Sequence, residues 1–133
     1  MDAVTRQGLV EIEQKDDVCI IHISGRLATG AEDCHLGMKA QAIKSLGCRK
    51  IVADIRKLDS TGSSGIGFFV ELHTSTTRNG GCFVLAAPSP RVLEVLTLTG
   101  LSTIIPIASD LAAGLAFCAR EADKAKAARS SLG

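Results

Sequence analysis

Four short apolar runs, Val18–Ser24 (VCIIHIS), Lys50–Ile55 (KIVADI), Cys82–Ala87 (CFVLAA) and Ser102–Ile107 (STIIPI), are separated by three stretches whose apolar residues recur every three or four positions. The runs are too short for helices and rich in β-branched side chains, so they read as buried strands. The stretches between them read as amphipathic helices. Such alternation confines the chain to the α/β class, because helical crossovers bring successive strands side by side, parallel and right-handed. In the first stretch Leu36, Ala40 and Ile43 share a face before Gly47. In the second, Ile66, Phe69, Val70 and His73 do so before Asn79-Gly80-Gly81. The third opens on Ser89-Pro90, a serine cap followed by proline at the first helical position, and stops at Gly100. A last helix is expected from a Ser109 cap through Arg120, with Leu111, Leu115 and Cys118 inward.

Ahead of this series, Val10, Ile12 and Gln14 alternate with Glu11, Glu13 and Lys15, and Asp16-Asp17 supplies a polar turn. A β-hairpin therefore feeds the first buried strand, which Gly25 is expected to close. The sum is a mixed sheet of about five strands with about four helices in one domain over residues 9–120. Residues 1–8 are a lead-in, and 121–133 a helix extension or a disordered tail.

Charge and composition limit function. Fifteen basic and 14 acidic residues in 133 leave a net charge of +1, far from the basic excess that neutralises nucleic-acid phosphates. Trp and Tyr are absent, which removes the better base-stacking platforms. No apolar run approaches the roughly 20 residues of a membrane span, and the N-terminus lacks the apolar core of a signal peptide. A cytoplasmic protein is expected. Five cysteines, at 19, 34, 48, 82 and 118, include no C-x-x-C pair and read as small buried hydrophobes of a reducing compartment. His22, His35 and His73 sit on different elements without metal-ligand spacing, so neither a metal nor a cofactor is expected.

Chemistry concentrates in Asp54 to Gly67 (DIRKLDSTGSSGIG), read as a loop from the end of a buried strand to the start of a helix. Hydroxyls and glycines gather there around a helix N-terminus, which favours anions through its N–H groups and its dipole. A serine cap on a glycine-rich loop would look the same. A P-loop fails because Phe68 stands where its lysine should, and a dinucleotide fingerprint fails at Val70. A hydrolase elbow fails because Gly65 comes one place early. Asp54 as a phospho-acceptor lacks a paired acidic site on the same sheet edge. It reads as readily as an anchor for backbone N–H groups.

The strand Asp54, the run Ser63-Ser64-Gly65-Ile66-Gly67, Asn79-Gly80-Gly81 before a strand, and the Pro88-to-Leu101 stretch PSPRVLEVLTLTGL together resemble the STAS domain. In particular they resemble stand-alone bacterial anti-sigma factor antagonists. That resemblance implies a regulator of transcription that is not an enzyme. It would bind an anti-sigma factor serine kinase when unphosphorylated and be released on phosphorylation, with a serine phosphatase as a further partner. It also implies no nucleic acid, no membrane, and a monomer or weak dimer. By position Ser64 is the phospho-acceptor, with Ser63 second. Asp54, Asp59, Ser60, Gly62, Ser63, Gly65, Ile66 and Phe68 would form the partner-facing loop and helix start, with Phe68 or Phe69 adding apolar surface. The family's aspartate before the two serines falls on Gly62, and its Gly-x-Leu-Asp appears as Gly25-Arg26-Leu27-Ala28. The alternatives are a STAS scaffold or partner-binding module without phosphorylation, and a small-ligand sensor.

Overall fold

The computed structural model describes residues 9–27 and 33–132, with side chains over 10–27 and 36–124. The elements run β1 (Leu9–Lys15), β2 (Val18–Leu27), α1 (Asp33–Leu46), β3 (Lys50–Thr61), α2 (Ser63–Arg78), β4 (Cys82–Ala86), α3 (Pro90–Leu98), a short 3-10 helix (Leu101–Thr103), β5 (Ile107–Ala108) and α4 (Leu111–Leu132). The sheet order is β1-β2-β3-β4-β5. β1 is antiparallel to β2, and the remaining neighbours are parallel. The five-stranded mixed sheet with four helices is the expected α/β architecture.

Alternation along the strands divides the core in two. Cys19, Ile21 and Ile23 of β2, Ala53 and Ile55 of β3, and Phe83 and Leu85 of β4 face α1, α2 and α3. Ile43, Phe69, Leu72, Val92 and Leu96 come down to meet them, each at most 1% exposed. A side chain of this kind contributes about 1.5–3 kcal/mol on full burial. The opposite face carries Val52, Val84 and Ala86 under Cys118, Leu111 and Leu115 of α4. Among the described residues, α4 covers β3, β4 and β5 on this face and not the body of the β1–β2 hairpin.

Four boundaries differ from the sequence reading. Gly25 does not end β2; with φ 81° it lets the strand continue to Leu27. β3 runs on to Thr61, so Arg56–Thr61 is strand rather than loop. The two extensions pair through Ser24–Lys57, Gly25–Leu58, Arg26–Ser60 and Leu27–Thr61, with two register shifts. Each shift breaks the period-two signal that would mark a strand. The Ser102–Ile107 run supplies only the first residue of β5, Ile107, because Leu101–Thr103 turns and Pro106 lacks an N–H for the ladder. α4 is capped by Asp110, whose Oδ1 accepts the Ala113 N–H at 2.7 Å, and not by Ser109. The Ser89 cap of α3 is as read, its Oγ accepting the Val92 N–H at 3.2 Å.

Candidate functional site

β4 ends opposite Asp54, so β2 and β3 continue past it as a two-stranded ribbon. α2 begins at the tip of that ribbon. The Gly62 N–H donates to the Leu27 carbonyl oxygen at 2.8 Å, tying the helix start to the end of β2. Gly62 is the N-cap residue in an extended conformation, and the Ile66 N–H returns to its carbonyl at 3.1 Å to close the first turn. The cap is therefore glycine, and the reading of a serine cap is set aside. Ser63 and Ser64 occupy the first turn itself, Ser63 exposed and Ser64 half-buried.

Gly65 is buried where α2 meets the ribbon. A Cβ there would land on Thr61 Oγ1 and lie 3.1 Å from Leu27 Cβ. The glycine after the two serines is thus a packing requirement, and it lets the first turn seat on β2 and β3. No acidic residue of α2 lies in that turn, while Arg78 lies in the last, so the helix's own first turn adds no carboxylate to the positive end of its dipole. Ser63, Gly67, Val70 and Thr74 continue along α2 as an exposed stripe. Val70 is 41% exposed there, and half-buried Ile66 adjoins it.

Several expected site residues lie elsewhere. Phe68 and Phe69 are 4% and 0% exposed and belong to the core, so neither offers a surface to a partner. Their positions in the helical period place them inward, beneath the serines. Asp54 is in the middle of β3, about 20 Å from α2 along an extended strand. Its Oδ1 accepts the Arg56 N–H at 3.2 Å, and its Oδ2 lies 3.0 Å from His22 Nδ1. It anchors backbone as foreseen, but at the register shift of the ribbon's base and not at the helix start. Asp59 is exposed and Ser60 half-buried on the ribbon itself. Ala28 falls outside the described residues, as does the side chain of His35.

The arrangement around His22 had no sequence signal beyond the alternation of β1 and β2. Nε2 of His22 lies 3.0 Å from Glu13 Oε1, so both ring nitrogens face carboxylates on the part of the face that α4 does not cover. The bond to Glu13 raises its pKa above the ordinary 6.5, partial burial opposes this, and the bond to and charge of Asp54 add to the rise. His73 is the converse. It is half-buried against the edge of Phe83, ring centroids 6.4 Å apart, and burial lowers its pKa. Among the described residues no group of three or more His, Cys, Asp or Glu side chains is placed to hold a metal ion. A cavity of about 770 Å³ opens at the other edge of the sheet, lined by Arg49, Lys50, His73, Phe83, Cys118 and Glu121, away from both serines.

The chain thus has a parallel sheet with an added antiparallel edge strand, and a serine pair on the first turn after the sheet's central strand. Residues 10–114 match the STAS domain model, and the chain belongs to that family. It is 29% identical over 98 residues to the anti-sigma F factor antagonist of Paenibacillus polymyxa, covering 74% of this chain and 84% of that protein. The crystal structure of an anti-sigma factor antagonist from Mycobacterium paratuberculosis superposes with TM-score 0.75 at 20% identity, over 84% of this chain and 94% of that one. The Bacillus cell fate determinant SpoIIAA in its phosphorylated form gives TM-score 0.59 at 20% identity, over 75% and 91% of the two chains. Among the described residues no helix is long and apolar enough to cross a membrane.

Proposed function

We propose that this chain is an anti-sigma factor antagonist that regulates transcription by exchanging partners, and that it is a kinase substrate and not an enzyme. Unphosphorylated, it binds an anti-sigma factor serine kinase through the first turn of α2 and the stripe running from Ser63 through Gly67 and Val70. The kinase transfers the γ-phosphoryl group of ATP to Ser64 Oγ: the Oγ–P bond forms as the bond from phosphorus to ADP breaks, and the hydroxyl proton is given up. The new phosphomonoester disrupts the interface and the partner leaves. A serine phosphatase resets the switch by hydrolysis.

The observation that carries this reading is the placement of Ser64 on the first turn of α2, with Gly62 at the cap and no acid in that turn. Phosphate adds about −1.5 to −2 charges and three acceptor oxygens, which the helix N-terminus tolerates. The partner, docked against hydroxyls, glycine and aliphatic carbon, does not. A penalty of about 3 kcal/mol lowers affinity roughly a hundredfold, enough for exchange without refolding. The family kinship and the phosphorylated SpoIIAA neighbour support the same reading. It is tested by titrating the host's kinase-type anti-sigma factor with unmodified protein and with Ser64→Asp. A loss of affinity of about a hundredfold is expected. Equal affinities would favour a partner-binding module without phospho-control.

A further inference from the structure

A pair of thiols at the sheet edge opposite Ser64 has no part in partner exchange. Cys19, on β2, is 0% exposed, and Cys48, in the turn before β3, is half-buried. The Cys19 thiol donates to Cys48, with the two sulfurs 2.7 Å apart although 29 positions separate them in sequence. A covalent S–S bond is about 2.0 Å long, so the two sulfurs stand about 0.7 Å beyond bonding distance. The surrounding backbone holds both in place. The Arg49 N–H donates to Asp17 Oδ1 at 3.2 Å, and the Lys50 N–H to the Asp17 carbonyl oxygen at 3.3 Å. These bonds pin the turn that carries Cys48 to the hairpin that carries Cys19.

We infer that Cys19 and Cys48 form a reversible disulfide when the protein meets a hydroperoxide, which makes the pair an oxidation site. The two thiols have different tasks. Cys48 lines a cavity of about 340 Å³ with Gly47, Thr76 and Asn79, through which a small oxidant reaches it. Burial, followed by the bond to Cys48, pushes the Cys19 thiol up to about 12, so it keeps its proton. The Cys48 thiolate attacks hydrogen peroxide, the O–O bond breaks, and the departing hydroxide becomes water, leaving a sulfenic acid. Cys19 sulfur then attacks Cys48 sulfur, and the S–O bond breaks as the S–S bond forms. The Cys19 proton leaves with the hydroxide as a second water. Two thiols are oxidised by two electrons and one peroxide is reduced to two waters. The crosslink encloses α1 and leaves the first turn of α2 untouched, so it is independent of the proposed phospho-switch.

The test uses the full chain. After treatment with hydrogen peroxide and quenching, the denatured protein is titrated for thiols and its unreduced peptides are mapped by mass spectrometry. The titre is expected to fall from five to three, since each crosslink consumes two thiols, with Cys19 and Cys48 in one linked peptide. Dithiothreitol restores five thiols, and the oxidised protein unfolds at higher urea than the reduced one. A variant with Cys34, Cys82 and Cys118 all changed to serine still forms the link, whereas Cys48→Ser does not. The wild-type map decides the matter even if a variant fails to fold. Retention of all five thiols, a Cys82–Cys118 link, an intermolecular link, or Cys48 stopping as a sulfinic acid would each overturn the assignment.

Discussion

A Cβ built on Gly65 meets Thr61 Oγ1 and the side chain of Leu27 at once. Relief by movement would have to lift α2 from the ribbon that sets its direction. Gly65→Ala is therefore expected to cost about 1–3 kcal/mol, read from urea unfolding. The same change at Gly67, whose Cβ would meet nothing within 4 Å, stabilises or leaves unfolding unmoved. His22 gives a pH signature of known sign. Its pKa is raised on folding, first by Glu13 and then by Asp54, so the protonated ring stabilises the fold. That contribution is complete below the unfolded value of about 6.5 and is lost as pH rises through the higher folded value. The stability advantage of wild type over His22→Gln should accordingly shrink as pH climbs above 6.5. An advantage that grows over this range would contradict the clamp.

Most elements were legible because their signals are local. The Asn79-Gly80-Gly81 stop and the Ser89-Pro90 start bracket β4 within one residue of its observed end. The ribbon was not legible, because its strands hold together through two shifts of register that no single strand records. Reading it as a loop placed Asp54 beside the serines, whereas extended backbone carries it well away. Phe68 was misassigned for a related reason. Its inward direction depends on where α2 begins on the ribbon, and the aliphatic side chains left at the surface of α2 are half-buried Ile66 and exposed Val70. The cap of α4 turned on a choice between neighbours, and Asp110 holds the bond. Asp110→Ala is expected to cost about 1 kcal/mol in chemical denaturation, while Ser109→Ala stays within about 0.5 kcal/mol. The reverse order would place the helix start one residue earlier.

As a whole the molecule keeps a serine pair and a thiol pair apart on one sheet. The serine pair stands beyond the C-terminal ends of the parallel strands, and the Cys19–Cys48 pair lies at their N-terminal ends. Between them the core is mostly aliphatic, with Phe68, Phe69 and Phe83 among it, and is closely covered by helices on one face, a scaffold suited to changing surface charge without changing shape. One phosphate would shift the net charge from +1 to about −1, concentrated at a single helix end. Near-neutral composition makes that change large in relative terms. The central claim is that this charge arrives at Ser64. Incubation with the host's kinase-type anti-sigma factor and ATP, followed by phosphopeptide mapping, tests it directly. The account predicts one phosphate per chain on Ser64, absent from Ser64→Ala. A chain that binds that kinase yet acquires no phosphate on Ser64 would contradict it.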